Sequence, residues 1–216
     1  MFQKYFLFFV FSLIMSFNVY GQDKLEIGLN FGLNYPSLRG YDFASNQNFR
    51  IGFLIGSSLE YELNNHFSLK GNINYERRVD RFQITFFNNE AQEIGNDDFR
   101  EIFSYINFPI LLNYKFNDSG YFINSGPFAN YLIEAKFKPD YPNEERDRGN
   151  SSEIKKLDFG LSLGIGKNFK INDKNNFVIE IRDDFGLIDT GGVPNQFDGT
   201  SRTNSIKLIL NWSFGI

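Results

Sequence analysis

Eight runs of this chain alternate apolar and polar residues with a period of two, and no convincing 3.6-residue period appears after Gln22. Such alternation belongs to strands whose two faces meet different surroundings. In the first run Leu25, Ile27, Leu29, Phe31, Leu33 and Tyr35 share one face; Lys24, Glu26, Gly28, Asn30, Gly32 and Asn34 share the other. The second sets Ile51, Phe53, Ile55, Leu59 and Tyr61 against Arg50, Gly52, Gly56, Ser58 and Glu60. The third sets Phe67, Leu69, Ile73 and Tyr75 against Ser68, Lys70, Asn72, Asn74 and Glu76. The remaining runs occupy Tyr105–Phe116, Tyr121–Glu134, Leu157–Gly166, Phe177–Leu187 and Ser205–Ile216.

Each run is roughly 9–12 residues, the length a tilted strand needs to cross a bilayer. The connections alternate as well. Those near Asn64–His66, Asn117–Gly120 and Asn168–Asn176 are short; those at Pro36–Asn48, Val79–Phe103, Lys136–Glu153 and Asp189–Asn204 are long. Short turns on one side and long loops on the other are expected of an outer-membrane barrel with its short turns in the periplasm. The expectation is an all-β fold: an eight-stranded antiparallel up-and-down transmembrane β-barrel.

Alternation alone does not say which face is outside, since a soluble lipocalin-like ligand-binding barrel turns its apolar face inward. Two features favour apolar-out. The polar face is rich in glycine and small polar residues, which suit the narrow interior of eight strands and would weaken strands on a soluble surface. Aromatics also sort by depth. Tyr61, Phe67, Tyr114, Phe116, Tyr121, Phe177, Trp212 and Phe214 lie near the short turns. Tyr35, Phe53, Tyr75, Phe108, Tyr131, Phe159 and Phe185 lie near the long loops, with aliphatics such as Leu29, Ile55, Ile110, Leu163, Ile179 and Leu208 between. Two aromatic girdles around an aliphatic belt match a bilayer.

The lumen is then expected to hold Glu26, Glu60, Lys70, Glu76, Lys115, Glu134, Asp158, Glu180, Arg182, Asp184 and Lys207. Such a set fills the barrel as a structural salt-bridge network, or offers a narrow ion or proton path. Asp183 falls on the lipid face, which a carboxylate tolerates only near the interface.

The N-terminus reads as an address. One basic residue, Lys4, precedes the apolar run Tyr5–Phe17, which is too short to span a bilayer, and Val19 and Gly21 suit cleavage after Gly21. Residues 1–21 are therefore expected to be a cleaved signal peptide and 22–216 the barrel. The chain has no cysteine, so disulfides, thiolate chemistry and an acylated cysteine are excluded. With net charge −4 and no basic run, nucleic acid is not an expected partner. A mean hydropathy of −0.33 argues against a helical membrane protein, but not against a barrel in which every second strand residue meets lipid.

Several motifs resemble the PorT-like outer-membrane β-barrel domain family of Bacteroidetes-type bacteria. They are Tyr105-Ile106-Asn107-Phe108-Pro109-Ile110-Leu111-Leu112, Gly126-Pro127-Phe128, Asp158-Phe159-Gly160-Leu161 with Gly164-Ile165-Gly166, and Phe185-Gly186-Leu187. The resemblance spans essentially the whole chain after Gln22. It implies a small eight-stranded barrel in the bacterial outer membrane and, through the founding type, a link to protein secretion and gliding machinery.

Catalytic and metal-binding constellations are not found. The single histidine, His66, falls in a predicted turn, and Gly164-Ile165-Gly166-Lys167 has neither the spacing nor the Ser/Thr of a phosphate loop. No catalytic, cofactor-binding or metal residues and no cofactor are expected, and the chain is not expected to be an enzyme. Function is expected in the long loops. Val79–Phe103 alternates Phe82, Ile84 and Phe86 before Asn88-Asn89-Glu90, which predicts that strands three and four run on as a protruding hairpin with an acidic tip. That hairpin offers an edge for β-augmentation by a protein partner. Lys136–Glu153 reads as a polar, mobile loop. Outer-membrane lipids are the other expected partner, and the barrel is expected to be a monomer. It acts through its extracellular loops or as an envelope component, or alternatively as an accessory subunit of a secretion or gliding complex.

Overall fold

The computed structural model describes residues 24–41, 48–88, 90, 92–116, 119–139, 146–147, 154–191 and 199–215. The expected signal peptide and most of the Lys136–Glu153 loop lie outside the described residues. Nine strands follow in chain order: β1 (Leu25–Tyr41), β2 (Asn48–Glu62), β3 (Phe67–Phe87), β4 (Glu93–Lys115), β5 (Tyr121–Pro139), β6 (Arg146–Asp147), β7 (Leu157–Lys170), β8 (Asn175–Gly186) and β9 (Gly199–Gly215). Every pairing is antiparallel between neighbours in sequence, except that β9 returns to pair with β1 and β7 pairs with β5 past the two-residue β6. The eight long strands thus close into an up-and-down barrel, as expected, and closure leaves no open edge in the wall.

Apolar residues face outward. Leu163 is 66% exposed and Ile110 55%, whereas Glu76 and Asn107 are 0% exposed. The burial of β7 alternates accordingly along its length. This is the reverse of a soluble ligand-carrying barrel, so that alternative falls. In water the exposed belt would be a very large apolar patch; in a bilayer it is the surface that meets acyl chains.

Local chemistry sets the short turns. The Asn64 side-chain oxygen accepts the backbone N–H groups of His66 and Phe67, each at 2.9 Å, and Asn172 does the same for Lys174 and Asn175. His66 sits exposed in its turn, as read from sequence, with its ring 6.2 Å from that of Tyr114.

The strands are longer than their alternating runs. β3 spans 21 residues and β4 spans 23, and they stay paired from Phe67↔Tyr114 up to Phe87↔Glu93, which is the predicted hairpin. β1 and β9 likewise pair on to Tyr41↔Gly199, inside what the sequence presented as long loops. Beyond the girdles the outward positions turn polar, as at Ser37, Arg39, Arg77 and Arg81. Contrast between the faces then fades, while backbone pairing continues.

Two prolines interrupt the wall. The β3–β4 ladder skips from Gly71↔Ile110 to Asn74↔Asn107, where Pro109 has no N–H to donate. The β4–β5 ladder skips from Pro109↔Phe128 to Leu112↔Ser125, beside Pro127.

Candidate functional site in the lumen and at its mouths

Inward positions carry two interlocking polar systems. The first is a belt of amides. Asn211 on β9 donates to Asn30 at 2.7 Å; Asn30 donates to Asn74 at 2.9 Å, Asn74 to Asn107 at 3.3 Å and Asn107 to Asn130 at 2.7 Å. Asn130 donates to Asp158 at 2.9 Å, and Asp158 also accepts the Thr203 hydroxyl at 2.7 Å. The belt leaves β9 at Asn211 and returns to it further along, at Thr203, the stagger that closing a tilted sheet imposes. Six of its seven members, all but Thr203, occupied the polar face in sequence, but only the register shows that they meet.

The second system is ionic. Lys207 lies between Glu76 and Asp184 in direct contact with both, and none of the three side chains is more than 1% exposed. Glu76 also takes Arg78 at 2.9 Å, while Arg182 lies 3.6 Å from Asp184 and 3.5 Å from Glu180. Lys70 links Glu180 to Glu60, each at 4.0 Å, and Lys115 reaches Glu60 at 3.4 Å. Charges alternate in sign from the short-turn mouth to the opposite end. Buried charges persist only when paired in this way; Arg182 is held by charge alone, since its three guanidinium nitrogens make no hydrogen bond.

Inward apolar groups complete the filling, and the strand patterns gave them no place. Leu54, Leu111, Phe122, Phe128, Val178 and Ile209 are all buried on the polar face. Glycines opposite make room: Phe128 pairs with Gly160, Phe122 with Gly166 and Leu54 with Gly32. A Cβ on Gly160 would lie 2.6 Å from the Phe128 ring. A polar cavity of about 460 Å³ opens at the short-turn end, lined by Glu26, Glu60, Glu62, Lys70, Lys115 and Asn113 among others.

Ten of the eleven residues assigned to the lumen point inward. Glu134 does not. The β4–β5 register shifts beside Ser104/Tyr105, so that Tyr105 pairs with Leu132 and Ser104 with Glu134. One extra residue, Ile133, breaks the period of two and turns Glu134 outward, where it is 46% exposed and pairs with Lys136 at 2.9 Å. Asp183 keeps its outward position, between Leu163 and Ile206, and is half-buried. The sequence reading missed Arg78, Asp80 and Glu101, all buried. Arg78 and Asp80 continue the inward period from Glu76; that continuation was the available signal.

Asp80 and Glu101 face each other across β3 and β4. They lie past the girdle residue Tyr75, between the outward arginines Arg77 and Arg81, and so outside the membrane belt. Burial pushes the Asp80 carboxyl up to about 7, with the Glu101 charge adding to the effect. At the same end Asp189, bonded to Lys155 at 2.8 Å, is held below the ordinary carboxylate range chiefly by that hydrogen bond.

A closed eight-stranded barrel, apolar outside and ionic inside, is an outer-membrane barrel protein. The chain belongs to the outer membrane protein β-barrel domain family, whose model matches residues 20–191. Its location is the bacterial outer membrane. No curated protein matches it. Among solved structures it is similar to Neisserial surface protein A, at 12% identity and TM-score 0.47, over 88% of this chain and 97% of that one. Ail, the attachment invasion locus protein of Yersinia pestis, solved with the heparin analogue sucrose octasulfate, shares 14% identity at TM-score 0.44, over 88% and 98%. Outer membrane protein OprG of Pseudomonas aeruginosa shares 10% at TM-score 0.45, over 88% and 95%.

Proposed function

We propose that the barrel is a non-enzymatic, monomeric anchor whose lumen is a structural plug and whose working surface is the β3–β4 hairpin on the extracellular side. The hairpin carries this reading. Beyond Arg81, β3 has left β2, and before Phe99, β4 has not yet met β5, so residues 82–87 and 93–98 pair only with each other among the described residues. Both outer edges of that segment present backbone groups to a strand from a protein partner. The ionic filling supports the plug: Lys207, Glu76, Arg182 and Glu180 occupy the axis with almost no exposure, and eight strands leave little further room.

A photo-crosslinking residue at Ile94, on the hairpin, is expected to give a discrete protein adduct in intact cells. The same residue at Leu163, on the lipid belt, is not. Equal adducts at both positions, or single-channel conductance of the reconstituted barrel that changes with Lys207→Met, would overturn the reading. The PorT-like motifs add a second reading, an accessory subunit of a secretion or gliding complex. The open hairpin edges favour it, and co-purification of a defined envelope partner that is lost on deleting residues 82–98 tests it.

A further inference from the structure

On the outward face at the long-loop end, β1, β9 and β8 bring together a cationic pair that the barrel's own contacts leave unfinished. Arg39 on β1 and Arg202 on β9 oppose each other directly. Like charges in that position weaken a strand pair. The Arg39 guanidinium reaches over β9 to β8, where its Cζ lies 3.5 Å from the centroid of the Phe185 ring and Nη2 donates to the Gly186 carbonyl. The Nε donors of both arginines are shielded from water and have no hydrogen-bond partner. On the outward face Asp183, two positions before Phe185, sets one carboxylate against two guanidinium groups; Asp158, which also attracts Arg39, lies inside the wall, where it accepts from Asn130 and Thr203.

Height narrows the choice of ligand. Phe185 belongs to the aromatic girdle of the long-loop end, the level of lipid headgroups. Toward the belt on the same two strands lie the outward pairs Tyr35↔Ile206 and then Leu33↔Leu208, an apolar track. An anion bound by the arginines therefore has hydrocarbon-facing surface immediately beneath it.

We propose that Arg39 and Arg202 form a site for the phosphate group of an outer-leaflet glycolipid, with its acyl chains lying along Tyr35, Ile206, Leu33 and Leu208. A guanidinium offers a planar fork of donors matched to phosphate oxygens, and Arg39 is already oriented by the Phe185 face. The anion would relieve the Arg39–Arg202 repulsion. Asp183 then limits affinity by opposing the ligand's charge.

The test is native mass spectrometry of the detergent-folded barrel titrated with a bis-phosphorylated diglucosamine lipid, the same lipid dephosphorylated, and inorganic phosphate. One phosphorylated glycolipid is expected to be retained per barrel. Arg39→Gln/Arg202→Gln is expected to weaken retention about 10- to 100-fold, the effect of losing charged hydrogen bonds. Asp183→Asn is expected to strengthen it. Lys156→Gln, an exposed charge removed at the same end, is expected to leave it unchanged. Equal binding of the dephosphorylated lipid, displacement by millimolar phosphate, or an equal loss in the lysine variant would overturn the proposal. If the double arginine variant fails to show heat-modifiable mobility, Arg202→Gln alone and Asp183→Asn carry the test, and no change in either refutes it.

Discussion

Removing the Lys207 ammonium tests whether the lumen is a dry ionic plug. Lys207→Met keeps most of the side-chain volume and deletes the charge shared by Glu76 and Asp184. Glu76 retains Arg78 at 2.9 Å, but Asp184 keeps only Arg182, at 3.6 Å, besides its hydroxyl and amide donors Ser162 and Asn107. Because all three charged groups are at most 1% exposed, the loss is that of a broken buried pair, about 3–5 kcal/mol. The comparison is Lys155→Met, whose partner Asp189 is 35% exposed and whose loss should cost no more than about 1 kcal/mol. Urea titration of the barrel in phosphatidylcholine vesicles reads both, through gel mobility without boiling and through Trp212, the single tryptophan. Adding Asp184→Asn to Lys207→Met leaves Glu76–Arg78 and Glu180–Arg182 as balanced pairs and should recover at least half the loss. A cost for Lys207→Met equal to that of Lys155→Met would refute the buried network.

Three further outcomes follow from the packing and charge. Gly56→Ala should destabilise by more than about 2 kcal/mol, because its Cβ would lie 2.1 Å from the Ile73 carbonyl oxygen, whereas Gly71→Ala, with nothing within 4 Å, should stay within about 0.5 kcal/mol in the same titration. Phe128→Ala, emptying a lumen position 2% exposed, should cost about 3–5 kcal/mol, and Leu163→Ala on the lipid face clearly less. The Asp80 carboxyl is raised to about 7 in the folded barrel from an ordinary 3.8. The folded state therefore holds this proton more tightly, and stability falls as pH rises from about 4 to about 7, then levels. Asp80→Asn should flatten that slope by about 1–2 kcal/mol, the full shift being discounted for water at the barrel mouth; an unchanged pH profile would rule out Asp80 as its source.

The period of two determined a great deal on its own. It fixed the strand number, the antiparallel order and which residues share a face, and, once the glycines and aromatic girdles set the apolar face outward, it placed ten of the eleven charges assigned to the lumen, because in a sheet facing lipid on one side the pattern and the pleat are the same fact. The hairpin was legible because Phe82, Ile84 and Phe86 carry the alternation past the girdle. Where that contrast disappears, the sequence falls silent although the strands continue, as in β1 beyond Tyr35 and β9 before Ser205. Only the tertiary structure decided the register, and with it everything that depends on two strands meeting. It set which amides join the belt and that Lys207 bridges Glu76 and Asp184. It paired Gly160 with Phe128, turned Glu134 outward past Ile133 and stood Arg39 opposite Arg202. A strand's pattern reports its own two faces; the stagger between neighbours comes from closing the whole cylinder, which no single run encodes.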